Sequence, residues 1–138
     1  MPTKILIVDD FERWRLTVRS ILEDTEGFLI IGEAGDGLEA VEKAVSLRPD
    51  IVLLDIGMPL LDGIEAAKQI RKKCPASKIV FLTQEDDCEI RDLALSTGAE
   101  AYLLKSKAAR DLRPAIEKAV LTELQNQAQE QISAFCEH

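Results

Sequence analysis

Five short, largely apolar segments alternate with stretches of helical periodicity along this chain. Runs this short that are apolar almost throughout are typical of strands buried on both faces. Five strand–helix repeats predict one parallel sheet covered by helices on both sides, which is the doubly wound α/β class. Sheets of this class bind ligands at the carboxyl ends of their strands. The predicted strands are residues 4–8, 28–34, 50–55, 78–83 and 101–105.

The segments between and after these strands carry apolar residues at helical spacing. Trp14 lies on the apolar stripe of the first helix and is therefore predicted to be a core residue. The last helix is expected to have Asp111 as its N-cap residue and Pro114 in its first turn, because a proline there removes no intrahelical hydrogen bond. The apolar stripe of that helix runs from Leu112 to Phe135.

Length and charge narrow the class of protein. The chain has 138 residues and a formal net charge of −8, which fits one domain and argues against a nucleic-acid binder that works by phosphate neutralisation. The acidity favours cationic partners, either metal ions or basic protein surfaces. No apolar run is long enough for a signal peptide or a membrane span. We therefore expect a cytoplasmic protein with no direct nucleic-acid contact and no membrane association.

The cysteines and the single histidine argue against further kinds of site. Cys74, Cys88 and Cys136 are odd in number and widely spaced, so neither a disulfide framework nor a zinc site is expected. Reduced thiols fit a cytosolic protein. His138 is the only histidine and the last residue, which argues against histidine-based catalysis. Any phosphohistidine chemistry must therefore come from a partner.

Polar side chains stand at the carboxyl ends of four predicted strands, which are neighbours in a parallel sheet. Three clustered carboxylates raise one another's pKa unless a cation intervenes, and a set of oxygen donors alone suits Mg²⁺. A carboxylate can also attack phosphorus, with an ammonium and a hydroxyl stabilising the transferred group. Taken singly, each residue has a purely structural explanation, but together they predict phosphoryl-transfer chemistry. These residues are Asp9, Asp10, Asp55, Thr83 and Lys105.

The strings that carry these residues resemble the receiver domains of two-component response regulators, most closely those of the LuxR type. The resemblance implies a flavodoxin-like (βα)5 fold with strand order 2-1-3-4-5. It covers residues 4 to about 122, so residues 1–122 are predicted to form the receiver domain and residues 123–138 a C-terminal helical extension or the start of a linker. The matching strings are residues 6–10, 53–59, 62–63, 82–83 and 101–105.

The resemblance also implies a phosphoacceptor and a metal site. Asp55 would accept the phosphoryl group. Asp10 and Asp55 would bind Mg²⁺ directly, Asp9 would assist through water, and the backbone carbonyl of Gly57 would complete the protein ligands.

Three further residues would carry the response to phosphorylation. Lys105 would contact the phosphoryl group, and Thr83 and Tyr102 would form the switch pair, the tyrosine following the threonine as it moves. Taken alone, Tyr102 is more often a core residue than a switch, but its place three residues before Lys105 favours the switch.

Three positions depart from the usual pattern of these domains, although none removes a reacting group. Gln84 stands where a small residue is usual, and Phe11 adds bulk beside the acid pair. Ser106 follows Lys105 where many receivers have proline. A cis bond without proline costs ~3 kcal/mol, which argues against the cis geometry typical of the family.

The resemblance implies a function in phosphorelay signal transduction. A sensor histidine kinase or phosphotransfer protein would supply the phosphoryl group, and the conformational switch would control an output such as transcription. Mg²⁺-dependent autodephosphorylation is expected, but no enzyme activity towards other substrates. LuxR-type receivers usually carry a C-terminal DNA-binding domain, which would belong to a longer parent chain. For the tail we considered homodimerisation, a linker to an output domain, and a frayed end.

Two alternative functions belong to other classes of protein. A Mg²⁺-dependent phosphatase with an aspartyl nucleophile usually has a second catalytic acid close behind it and a cap for the substrate, whereas Ile56 and Gly57 follow Asp55 here. A flavin- or nucleotide-binding module would need a loop rich in Gly, Ser or Thr after the first strand, where this chain has Asp-Asp-Phe-Glu. The receiver function is favoured over both.

Overall fold

The computed structural model describes residues 2–121 as strands and helices in strict alternation. A 3-10 turn (Lys105–Lys107) follows the last strand and leads into α5, which is helical from residue 108 to residue 121. The other elements are β1 (Thr3–Val8), α1 (Glu12–Glu23), β2 (Phe28–Ala34), α2 (Gly37–Leu47), β3 (Ile51–Leu54), α3 (Gly63–Lys73), β4 (Lys78–Thr83), α4 (Cys88–Leu95) and β5 (Ala101–Leu104).

All five strands pair in parallel in the order β2-β1-β3-β4-β5. This confirms the doubly wound sheet and the strand order 2-1-3-4-5. The chain winds from β1 to one edge of the sheet and then returns to add β3 on the other side of β1. The direction of winding therefore changes between β1 and β3, and open α/β sheets bind ligands at such a switch point.

The central strand shows why both faces of the sheet are covered. Leu6 and Val8 point into a core cluster with residues of α2, α3 and α4. Ile5 and Ile7 point to the opposite face, where they pack with residues of α1 and α5. All four are at most 2% exposed. Successive side chains of a strand alternate between faces, so a strand buried on both sides must be apolar at every position.

Aspartate side chains fix the starts of three helices at the carboxyl edge of the sheet. Asp36 accepts from the Glu39 N–H at 2.8 Å, and Asp62 accepts from the Glu65 N–H at 2.9 Å. Asp87 caps α4 through two backbone N–H groups. Each carboxylate satisfies a donor that a helix N-terminus leaves without an intrahelical partner. The loops that lead from β2, β3 and β4 therefore have defined ends.

The start of α5 differs from the sequence prediction. The helix already includes residue 108, so Asp111 is not its N-cap and Pro114 lies beyond its first turn. Ala108 has helical dihedral angles and is 1% exposed in the core cluster of α1 and α5. Burial of this small residue, together with the 3-10 turn before it, starts the helix early. The predictions for residues 123–138 and for the apolar stripe beyond Leu121 lie outside the described residues.

Two further features concern the described chain as a whole. Among residues 2–121 no helix is both long and apolar enough to cross a membrane. The peptide bonds of this part include no cis bond, so the Lys105–Ser106 bond is trans.

Candidate functional site

Three carboxylates meet where β1 and β3 end. Asp9 and Asp10 follow β1, and Asp55 follows β3, whose last residue Leu54 is in register with Val8. One oxygen atom from each carboxylate lies within 4.8 Å of the others. Asp9 and Asp55 are buried, with 2% and 6% exposure, and Asp10 is exposed. The structure thus brings the three acids together at the switch point of the sheet.

Lys105 places its ammonium between the two buried carboxylates. Its Nζ lies 2.7 Å from Asp9 Oδ2 and 3.3 Å from Asp55 Oδ2. The side chain is 12% exposed and starts from the 3-10 turn after β5. A buried pair of acids this close needs a cation, and in this structure the lysine provides it.

The aromatic rings of Phe11 and Trp14 flank the same ammonium. Trp14 lies in α1, and Phe11 immediately precedes that helix. Lys105 Nζ lies 5.3 Å from the centroid of the Trp14 ring and 5.9 Å from that of Phe11. Both distances fall within the range of cation–π attraction. Trp14 packs against the core, as predicted, but it is only half-buried and also contacts the site. Phe11 is 60% exposed, which places its bulk at the mouth of the site.

Backbone donors hold one oxygen of each buried carboxylate. Asp9 Oδ1 accepts from the Phe11 N–H at 2.9 Å, and Asp55 Oδ1 accepts from the Ile56 N–H at 2.8 Å. Burial raises the pKa of the Asp9 carboxyl above its usual value, and the negative charge of Asp55 adds to this. The hydrogen bonds from Lys105 and from the Phe11 N–H act in the opposite direction and lower the pKa. The second oxygen of each carboxylate faces Lys105.

Gly63 packs directly against the backbone of Asp55. A Cβ atom at this position would lie 1.9 Å from the Asp55 carbonyl oxygen, and the Gly63 N–H donates to the Ile56 carbonyl at 2.8 Å. Only glycine fits such a contact. The first residue of α3 thus fixes the backbone on which the Asp55 side chain is mounted.

Thr83 and Tyr102 are connected through the backbone of Glu85. Thr83 is 2% exposed at the end of β4, and its Oγ1 accepts from the Glu85 N–H at 3.2 Å. The Tyr102 hydroxyl donates to the Glu85 carbonyl at 2.6 Å. Burial raises the pKa of Tyr102, with a smaller contribution from the negative charge of Glu85. The two predicted switch residues are therefore both hydrogen-bonded to one residue of the β4–α4 loop.

Gly57 lies exposed in the loop after β3, with open space where a side chain would stand. The carboxylates of Asp9, Asp10 and Asp55 form a donor set that could hold a hard divalent cation. Such an ion would compete with Lys105 for Asp9, because both cations are attracted by the charge of this carboxylate. The chemistry of the donor set fits Mg²⁺ better than zinc, since it has no sulfur or imidazole.

Sequence reasoning missed Arg15 and Glu33. Arg15 Nη1 donates to the backbone carbonyl of Asp9 at 2.6 Å, and its Nε donates to Glu33 Oε1 at 2.9 Å. The one available signal was Glu33 itself, a charged residue within a strand that is otherwise apolar or small. A charge in such a strand needs a partner.

The sequence matches one protein family over most of the described residues. The family model described as "Response regulator receiver domain" matches residues 5–117. The response regulator protein VraR of Staphylococcus saprophyticus is 41% identical over 120 residues, which cover 86% of this chain and 56% of that protein. The chain thus spans about half the length of the curated relatives it matches.

Solved structures give the same comparison. A LuxR-family two-component response regulator from Aurantimonas sp. aligns with a TM-score of 0.82 and 31% identity, covering 96% of this chain and 99% of that one. The CheX-CheY-BeF3-Mg²⁺ complex from Borrelia burgdorferi aligns with a TM-score of 0.81 and 29% identity, covering 87% and 90% of the two chains.

Proposed function

The chain belongs to the response regulator receiver domain family of two-component signalling, and from this membership we propose that Asp55 receives a phosphoryl group from a histidine kinase or a phosphotransfer protein. One observation carries the assignment. Asp55 is a buried carboxylate at the switch point of the sheet, with the Lys105 ammonium 3.3 Å from its Oδ2 and two further carboxylates beside it. Asp9 is also buried beside Lys105, and the likeness of residues 53–59 to receiver domains favours Asp55 over Asp9 as the acceptor.

The transfer replaces one bond to phosphorus with another. A carboxylate oxygen of Asp55 attacks the phosphorus of a phosphohistidine, and the N–P bond of the donor breaks as the O–P bond forms. The leaving imidazole takes the electron pair. Asp55 Oδ1 accepts from the Ile56 N–H and Oδ2 from the Lys105 ammonium. Oδ2 becomes available for attack when the lysine turns to a phosphoryl oxygen.

The side chains around Asp55 stabilise the transferred group. Lys105 turns its ammonium from the carboxylates towards a phosphoryl oxygen, and the Thr83 hydroxyl donates to another. Asp10, Asp55 and the Gly57 carbonyl would hold Mg²⁺, with Asp9 assisting through water, and the ion would neutralise charge on the phosphoryl oxygens. These assignments are supported by the clustered carboxylates and by the family membership.

The conformational switch would work through the contacts of Thr83 and Tyr102 with Glu85. When Thr83 turns to the phosphoryl group, the Glu85 N–H loses its present acceptor and the loop that holds the Tyr102 hydroxyl is released. Tyr102 then follows into the space that Thr83 leaves. The aspartyl phosphate would be lost when a water oxygen attacks the phosphorus, the Asp55 O–P bond breaks and inorganic phosphate leaves. Mg²⁺ held by the carboxylates would assist by neutralising charge on the phosphoryl oxygens, and the domain would return to its starting state.

The family consists of regulators rather than enzymes, and the phosphatase alternative is not favoured. Ile56 and Gly57 occupy the positions close behind Asp55, where such a phosphatase usually has its second acid. We propose that the protein acts in the cytoplasm and that its output includes control of transcription. A solved relative from Staphylococcus aureus is titled a DNA-binding response regulator of the LuxR family, and any DNA contact would come from a further domain rather than from these residues. We also propose that the chain can form a homodimer.

Intact-protein mass spectrometry tests the assignment. The wild type is incubated with acetyl phosphate, with and without Mg²⁺, beside Asp55→Asn and the matched control Asp62→Asn. We expect one added phosphoryl group on the wild type and on the control, only with Mg²⁺, and none on Asp55→Asn. Full Mg²⁺-dependent labelling of Asp55→Asn would contradict the proposal.

A further inference from the structure

Arg15 joins the acidic loop to the neighbouring strand. Its Nη1 donates to the Asp9 carbonyl at 2.6 Å and its Nε donates to Glu33 Oε1 at 2.9 Å. The side chain is 19% exposed. One planar guanidinium therefore connects the residue after β1 with the carboxyl half of β2, in the fork geometry that lysine cannot reproduce.

The Asp9 carbonyl needs a donor from outside the sheet. The β1 ladders end at Val8, which pairs with Ala34 on one side and Leu54 on the other. The Asp9 N–H still donates to the Ala34 carbonyl at 3.0 Å, whereas the Asp9 carbonyl lies past the last pair. A buried carbonyl without a donor is costly, and Arg15 supplies that donor. Fixing this carbonyl also fixes the peptide plane between Asp9 and Asp10.

Glu33 keeps the guanidinium in place. Its second oxygen accepts from Arg19 Nη2 at 2.6 Å, and its backbone carbonyl accepts from Lys43 Nζ. Arg19 and then Arg15 hold the pKa of Glu33 below its usual value. The carboxylate is therefore ionised and held from more than one side, so Arg15 has little freedom to turn away from Asp9.

We propose that Arg15 is a positioning residue of the phosphoryl-transfer site, which acts through the Asp9–Asp10 peptide and is held by Glu33. The inference rests on the proposed function, because there Asp9 and Asp10 serve the metal. Arg15 lies behind the carboxylates and reaches the site through a backbone oxygen. Its contribution is the direction in which the Asp10 side chain leaves the backbone.

Charge and geometry predict opposite effects of losing Arg15. A positive charge behind the carboxylates repels a divalent cation, so its removal alone would tighten Mg²⁺ binding. This charge is paired with Glu33, which reduces the repulsion. Partners that orient metal ligands typically contribute about 10-fold or more to metal affinity. We therefore expect geometry to outweigh charge, and the two are separable because Arg15→Lys keeps the charge and loses the fork.

Mg²⁺ titration by calorimetry at constant ionic strength tests the proposal on the full chain. The variants are Arg15→Lys and Arg15→Gln, and the matched control is Arg19→Lys, because Arg19 bonds Glu33 but, within residues 2–121, not Asp9. We expect the Kd for Mg²⁺ to rise about 10-fold in both Arg15 variants and to stay within about twofold of wild type in the control. Thermal unfolding checks that each variant is folded.

A second measurement separates positioning from general destabilisation. The rate of Asp55 phosphorylation by acetyl phosphate is followed as Mg²⁺ is raised, and we expect the Arg15 variants to approach the wild-type rate at saturating Mg²⁺. Equal affinity of wild type and Arg15→Lys, tighter binding by Arg15→Gln, or an equal loss in Arg19→Lys would each overturn the positioning role alone. Failure of the wild type to bind Mg²⁺ would instead overturn the metal site and this role together.

Discussion

The Lys105 ammonium lies closer to Asp9 than to the proposed phosphoacceptor: 2.7 Å separate Nζ from Asp9 Oδ2, against 3.3 Å from Asp55 Oδ2. In this state the lysine neutralises the acid pair, and it occupies an oxygen that a metal ion would also attract. Phosphorylation offers the ammonium a more negative partner on the Asp55 side. If Asp55 is phosphorylated as proposed, the ammonium would move from Asp9 towards the phosphoryl group.

Lys105→Ala should keep Mg²⁺ binding but lose most of the switch. The carboxylates that hold the metal are unchanged, and a competitor for Asp9 is removed, so the Kd for Mg²⁺ should be equal to that of wild type or lower. Phosphorylation by acetyl phosphate should slow by about 100-fold, as when one charge-stabilising donor is removed from other active sites. Calorimetry and mass spectrometry measure the two effects. A variant that still rearranges normally on phosphorylation would contradict the role of Lys105.

Trp14 should report the movement of that ammonium. It is the only tryptophan of the chain, and Lys105 Nζ stands 5.3 Å from its ring. When the ammonium turns to the phosphoryl group, the emission of Trp14 should change in intensity. Fluorescence with acetyl phosphate and Mg²⁺ measures this, with Lys105→Ala, compared at the same extent of phosphorylation, as the control that lacks the signal. An equal change in that control would mean that the indole senses something else.

Thr83→Ala should accept the phosphoryl group but fail to rearrange the β4–α4 loop, whereas Thr83→Ser should behave like wild type. The alanine cannot bond either the phosphoryl group or the Glu85 N–H, and the serine retains the hydroxyl. Hydrogen exchange of the amides at residues 84–87, before and after phosphorylation, measures the response. Loop exchange that responds to phosphorylation in Thr83→Ala as it does in wild type would count against the switch.

Tyr102→Phe removes only the hydroxyl that donates to Glu85. A hydrogen bond of this kind contributes about 0.5–1.5 kcal/mol, and its loss should raise exchange in the same loop before phosphorylation. The ring contact with Phe81, at 6.2 Å between centroids, remains. Unchanged loop exchange in the unphosphorylated variant would show that the hydroxyl does not hold the loop.

Stability should depend on pH through Glu33 with a defined sign. Arg19 and Arg15 hold the pKa of Glu33 below its usual value of 4.5, so its ion pairs contribute fully above that value and are lost as pH falls through the lower folded-state pKa. The difference in free energy of unfolding between wild type and Glu33→Gln should therefore shrink as the pH falls below 4.5. Its size near neutral pH should be about 1 kcal/mol, because the group is partly exposed. Urea unfolding at several pH values measures it, with exposed Glu26→Gln as the control.

Gly63→Ala should destabilise the protein and displace Asp55. Its Cβ would stand 1.9 Å from the Asp55 carbonyl oxygen, and overpacking of this kind costs about 1–3 kcal/mol. Gly57→Ala is the matched control, because nothing lies within 4 Å of its added Cβ. Thermal unfolding of both variants measures the difference. Equal stability of the two would show that the α3 start does not clamp the phosphoacceptor.

The parallel sheet and the meeting of the acids could be predicted because both follow from pattern, whereas the strand order was implied by the resemblance to receiver domains. Apolar runs define strands, parallel strands share an edge, and a polar residue at the end of each must lie at that edge. The start of α5 could not be predicted from local rules, because Asp111 and Pro114 also fit the start of a helix. The burial of Ala108 places the start at residue 108 instead. Tertiary packing overrides the local signal there.

The contacts that side chains make with backbone carbonyls could not be predicted from the sequence either. Arg15 reaches the Asp9 carbonyl, and Tyr102 reaches that of Glu85, but every residue has a carbonyl, so no residue type marks the acceptor. The partner depends on where a long side chain points across the fold. Sequence pattern identified the polar groups that meet at the edge of the sheet and missed the groups that hold them.

The backbone and the side chain of Glu85 serve different purposes. Its N–H and carbonyl serve the two hydroxyls, while its side chain is exposed to solvent. The connection between Thr83 and Tyr102 therefore requires a backbone N–H at residue 85, which proline lacks. It does not depend on the side chain at this position. Substitutions at residue 85 can alter what the surface offers to a partner without breaking the connection between Thr83 at the end of β4 and Tyr102 in β5.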